Sequence, residues 1–101
     1  MKNLLNYTAA INDETRLKIL AFLDIHKKCC VCEICESFMM LQSRISRHLK
    51  ILKDADLLIA SRDGAFIYYE INYENTKEIL ELLKKANFTL PDLKTPKECN
   101  S

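Results

Sequence analysis

Four of this chain's five cysteines fall within residues 29–35, Cys-Cys-Val-Cys-Glu-Ile-Cys, and the fifth is Cys99. Thiols at that density suit disulfide cross-linking, soft-metal ligation or redox exchange. Cross-links are not required for folding. A single domain of 101 residues buries roughly 65% of the surface its unfolded chain exposes, enough for a core without staples. The first twenty residues lack an apolar signal core and a small-residue cleavage site, and no stretch approaches the ~20 apolar residues of a membrane span. A cytoplasmic protein with no membrane partner is expected. Thiols stay reduced there, which favours metal binding or redox chemistry over a disulfide framework.

The spacing sorts the cysteines. Cys32 and Cys35, three apart, share one face of a helix with Cβ atoms ~5–6 Å apart. Cys30 and Cys32, two apart, do not converge on a regular helix and meet only if residues 29–31 are extended or distorted. Cys29 then points away from Cys30, and Cys99 sits in an expected tail as a bystander. Lys27, Lys28 and His26 favour thiol ionisation while Glu33 and Glu36 oppose it, so a poised set is expected. Structural zinc would want four N/S ligands, and one Cys-x-x-Cys pair plus Cys30 falls short. His26 and His48 show no evident acid partner.

These residues need a frame. Leu4, Leu5, Thr8 and Ile11 predict a first helix over residues 2–11, and Asn12 or Asp13 caps a second that ends near Ile25 and turns Leu17, Leu20 and Ile19 or Phe22 inward. "KCCV" reads as a short extended segment before a brief helix over 31–38. Leu41, Ile45, Leu49 and Leu52 form an apolar stripe on a fourth helix. "LLIASR" and "AFIYYEI" flank Asp63-Gly64, the hairpin signal of a type I′ turn. A last helix over 73–87 buries Ile79, Leu80, Leu83 and Ala86. Residues 1–90 thus form one domain and 91–101 a flexible tail. The expected fold is mainly α, with about five helices and a small β-hairpin: a winged helix-turn-helix.

The chain's net charge of +1 hides a local concentration. Arg44, Arg47, Lys50 and Lys53 follow one another without an intervening acid. Gln42, Ser46 and Lys50 share a face, with Ser43 and Arg47 beside it. Arg grips a guanine edge in two places, Gln does so with adenine, and Ser is a short adaptable donor. In a helix-turn-helix such a helix enters the major groove, and Arg62, beside the hairpin turn, reaches a neighbouring groove or phosphate. The bland alternative is a solvated basic face.

"INDETRLKIL", "CVCEIC", "QSRISRHLKILKDADLL" and "RDGAFIYYEI" together resemble the ArsR/SmtB family of winged-helix metal-sensing repressors, within it the arsenic-responsive branch, over about residues 9 to 72. The resemblance implies a homodimer built on the first and last helices, which binds double-stranded operator DNA until an inducer releases it. It matches Cys30, Cys32 and Cys35 to the sensor thiols, and Gln42, Ser43, Ser46 and Arg47 to the recognition helix. Cys29 has no counterpart, and "MML" at 39–41 replaces the polar cap and turn residues that usually open that helix. As(III) and Sb(III) are soft three-coordinate centres that three thiolates satisfy. The last helix has no His for the interfacial zinc site of other members, and the first has no Cys for the cadmium and lead site.

Two alternatives stay open: a repressor of the same fold that responds to cadmium or lead or to thiol oxidation, and a C-x-x-C redox enzyme. The enzyme lacks the βαβ surroundings such a pair expects.

Overall fold

A computed structural model describes residues 4–86. The expected tail and Cys99 lie outside the described residues. In chain order the elements are α1 (Leu4–Ile11), α2 (Glu14–His26), β1 (Lys28–Cys30), α3 (Val31–Phe38), α4 (Gln42–Asp54), β2 (Leu58–Asp63), β3 (Phe66–Ile71) and α5 (Tyr73–Lys85). The expected helices and hairpin are present. The extended segment at Lys28–Cys30 adds a third strand, giving an antiparallel sheet of order β1-β3-β2.

Local chemistry explains the boundaries. Asp13 is extended, and its carboxylate accepts the Arg16 backbone N–H at 3.1 Å, which starts α2. That helix stops at Lys27, in a positive-φ conformation, whose N–H donates to the Leu23 carbonyl at 2.8 Å. Ile19, Leu20, Phe22 and Leu23 are buried and supply the centre of the core, whereas Leu17 is only half-buried. Ile34, Ile45, Leu49, Leu52, Leu57 and Ile71 close around them. Thr76 pins α5 to this core by donating its hydroxyl to the Leu57 carbonyl at 3.1 Å. Along α5, Leu80 is buried, Ile79 and Leu83 are half-buried, and Ala86, expected inside, is exposed.

Between α3 and α4 the chain turns in three residues. Met39 adopts a left-handed conformation with φ 55°, and the Met40 N–H donates to the Cys35 carbonyl at 3.2 Å, closing α3 as glycine usually does. Leu41 follows in an extended conformation and α4 begins at Gln42. Ile45, Leu49 and Leu52 are buried as expected, but Leu41 is 72% exposed. The stripe fails at that position because an extended residue has left the helical period.

The hairpin differs in one detail from its expected form. Asp63 pairs with Phe66, so the two turn residues are Gly64 and Ala65, and of these only Gly64 has positive φ, at 64°. Positive φ at the first central position alone fits a type II′ turn rather than type I′. No helix among the described residues is long and apolar enough to cross a membrane.

Candidate sensor thiols and nucleic-acid interface

Cys30 ends β1 and is at the same time the N-cap of α3. Its extended backbone swings its sulfur over the first helical turn, where it stands 3.0 Å from the sulfur of Cys32. The i, i+2 step that a regular helix cannot close is therefore already closed, because Cys30 lies just outside the helix. Glu33 completes a capping box, its carboxylate accepting the Cys30 backbone N–H at 2.9 Å while its own backbone N–H faces the Cys30 sulfur. Cys35 follows Cys32 by three residues, one helical turn on, and is half-buried.

Spacing puts Cys32 and Cys35 on one helix face and lets Cys30 reach Cys32 only from an extended segment; Lys28–Cys30 is extended, and the sulfurs in contact are those of Cys30 and Cys32. The expectation that changes is ionisation: Cys29, Cys30 and Cys35 are not poised for it. Burial first, then the charges of Glu33 and Cys30, push Cys29 up to about 12. Cys30 is raised chiefly by burial, which the Glu33 backbone N–H opposes and the Glu33 carboxylate reinforces, and Cys35 by burial and then by Cys30. The lysines lie outside this environment: Lys28 is exposed, 4.0 Å from Glu70. Cys29 is 2% exposed and belongs to the core cluster, pairing with Tyr69 across the sheet. It acts as a small apolar side chain.

Cys30 and Cys35 are free thiols. Three thiols are available together only in the reduced protein. Among the described residues no group of three or more His, Cys, Asp and Glu side chains is closed around a metal position. The donor set nonetheless has the chemistry of a soft thiophilic site, with two of its sulfurs in contact.

α3 packs directly against α4, which carries the second set of candidates. Gln42, Ser43, Arg44, Arg47 and Lys50 are exposed and Ser46 is half-buried, so these residues form one open polar face. Among the described residues Arg44 and Arg47 make no ion pair, while Lys50 holds Asp54 at 3.0 Å. Arg62 is exposed on β2, one residue before the end of the strand. The same fold thus presents two basic elements, a helix and a wing.

Sequence reasoning missed a strap behind α4. The Arg16 guanidinium donates to the carbonyls of Ala10 at 2.6 Å and Ala9 at 3.3 Å, and meets His48 Nδ1 at 3.2 Å. Asp13 lies 3.9 Å from the same ring nitrogen. His48 therefore does have an acid neighbour, and it faces the α1–α2 junction. The only signal available was Asp13-x-x-Arg16 itself, which read simply as a helix start.

Residues 13–60 match the family described as "Bacterial regulatory protein, arsR family". The chain is 41% identical over 71 residues to the arsenical resistance operon repressor of Bacillus subtilis (strain 168), a match spanning 70% of this chain and 68% of that one. Its fold is similar to that of Mb0332 from Mycobacterium bovis, described as a homodimeric winged helix-turn-helix DNA-binding domain. The TM-score is 0.74 at 26% identity, with 83% of this chain and 77% of that chain covered. It is also similar to the AntR antimony-specific transcriptional repressor, with TM-score 0.68 at 26% identity, covering 85% and 80%. A helix-turn-helix with an exposed basic second helix, a wing and a match of this extent leave no room for an enzyme: the chain belongs to the ArsR family of DNA-binding transcriptional regulators.

Proposed function

We propose that this protein is an As(III)- or Sb(III)-responsive repressor that binds operator DNA as a homodimer and is released when Cys30, Cys32 and Cys35 bind the metalloid. The observation that carries the reading is the 3.0 Å contact between the Cys30 and Cys32 sulfurs at the start of α3, the helix that abuts the recognition helix. The names of the Bacillus repressor and of AntR point to the same class of inducer. In this reading Gln42, Ser43, Arg44, Ser46, Arg47 and Lys50 line the major groove, and Arg62 reaches a flanking phosphate. Dimerisation uses α1 and α5, where Leu5 and Leu82 are largely exposed.

The mechanism follows from the double role of Cys30. Its sulfur faces the Glu33 N–H that caps α3, so drawing that sulfur into a three-thiolate site removes the cap and loosens the first turn. α3 then no longer holds α4 at groove spacing. Inducer and DNA oppose each other, and linkage makes the opposition reciprocal. A coupling of ~3 kcal/mol weakens DNA affinity on the order of 100-fold.

Oxidation of the same thiols is the alternative signal, since two of them, Cys30 and Cys32, have their sulfurs 3.0 Å apart. Operator binding followed by fluorescence anisotropy separates the two. In the reduced protein, arsenite or antimonite should release DNA, zinc should not, and Cys32→Ser or Cys35→Ser should abolish the response while Cys29→Ser keeps it. A full arsenite response after loss of Cys32 or Cys35 refutes the assignment, and release by peroxide but not by arsenite makes oxidation the signal.

A further inference from the structure

The turn that opens α4 breaks two local rules within three residues. Met39 holds a left-handed conformation that L side chains other than Asn and Asp rarely adopt, and Leu41 occupies an N-cap where Ser, Thr, Asp or Asn would satisfy a helix N–H. Leu41 forms no side-chain cap bond, and both side chains stand in solvent, Met39 at 75% exposure and Leu41 at 72%. Two large apolar groups thus stand at one helix end at a cost to local stability. They gain no core burial in return. Scattered exposed leucines need no explanation, but a helix end that gives up its cap for one does.

Position supplies the explanation. In a helix-turn-helix the N-terminal end of the second helix reaches the base edges, and Leu41 immediately precedes the exposed Gln42, Ser43 and Arg44. The apolar feature that B-DNA offers there is the thymine 5-methyl group, which apolar side chains recognise. We propose that Leu41, flanked by Met39, reads thymine: its side chain packs on a thymine methyl in the major groove, adding an apolar contact to the polar face of α4. This rests on the reading of α4 as the DNA-contacting helix. It makes Leu41 a determinant of operator preference rather than of overall affinity.

The test starts from an operator selected by the wild-type protein from randomised duplexes, followed by anisotropy titrations in which each thymine in turn is replaced by deoxyuridine, which lacks only the methyl. One replacement per half-site should weaken wild-type binding about fourfold, the worth of one buried methyl. Leu41→Ser, which restores a good cap and so retains the fold, should bind the thymine and uracil duplexes equally. Retention of the full thymine preference by Leu41→Ser overturns the proposal, as does a wild-type protein that binds its selected operator with no uracil effect at any position. A change in sedimentation behaviour of Leu41→Ser without a change in base preference assigns the patch to a subunit contact instead and also overturns it. Failure of the wild type to select any sequence has a different meaning: the DNA reading itself falls, and this inference with it.

Discussion

The two helices of the helix-turn-helix begin in opposite ways. α3 starts at Cys30, buried and tied in a reciprocal capping box with Glu33, whereas α4 starts at Leu41, exposed and capping nothing. Both caps are extended, so the backbone does the same thing twice while the side chains do not. A cap that is hydrogen-bonded and made of sulfur can be withdrawn by a thiophile, which suits a sensor. A cap whose side chain bonds nothing within its own chain is free to touch something else, which suits a reader.

The contrast is sharpest in the stability of single variants. Ile34→Ala removes a fully buried side chain from α3, one turn past Cys30, and should lower unfolding free energy by about 2–5 kcal/mol in urea titrations. Leu41→Ala should change it by less than about 0.5 kcal/mol. Comparable losses from the two would erase the distinction. Next in size is Glu33→Ala, which removes one arm of the capping box and should cost about 1 kcal/mol. Because the Glu33 carboxylate also raises the Cys29 and Cys30 pKa values, the same variant should react faster with iodoacetamide at neutral pH.

Leu41→Ser runs the other way. A hydroxyl at the idle cap should raise stability by about 1 kcal/mol, and a loss would show that Leu41 is held by packing after all. The smallest effect is a pH dependence behind α4. Burial lowers the His48 pKa below 6.5, the charges of Arg16, Arg44 and Arg47 act in the same direction, and Asp13 opposes them. The unfolded chain therefore takes up the proton first as pH falls through 6.5. Stability should decline below that pH and level off beneath the folded pKa, and His48→Gln should flatten the slope.

Most of this architecture was readable from periodicity and turn chemistry. Asp13 as a cap, the 31–38 helix, the apolar residues of α4 and the hairpin all follow from side-chain type and spacing. The errors fall where a residue leaves its period. Leu41 stands four residues before Ile45 and so completes an apolar stripe on paper, but Met39 ends α3 and Leu41 is extended. Cys30 and Cys32 meet by the exception that their spacing allowed: Cys30 is extended and stands just outside the helix. The thiol pKa values misled differently. Lys27 and Lys28 are neighbours in sequence, yet burial, which sequence does not display, outweighs them. Arg16 escaped notice because its partners, Ala9, Ala10 and His48, lie on two other helices.

Cys30 also closes β1, a strand of three residues whose ladder partners are Tyr68, Tyr69 and Glu70 on β3. β3 is the middle strand, and its other neighbour is β2, which carries Arg62. In the proposed mechanism a displacement of that sulfur has two routes to follow, through α3 to α4 and through the sheet to the wing. A ladder so short peels as a unit, and its loss would turn β3 from an inner strand into a bare edge. The induced protein should then be recognisable without DNA or metal spectroscopy, by fast exchange of backbone amides on β3 that were shielded before.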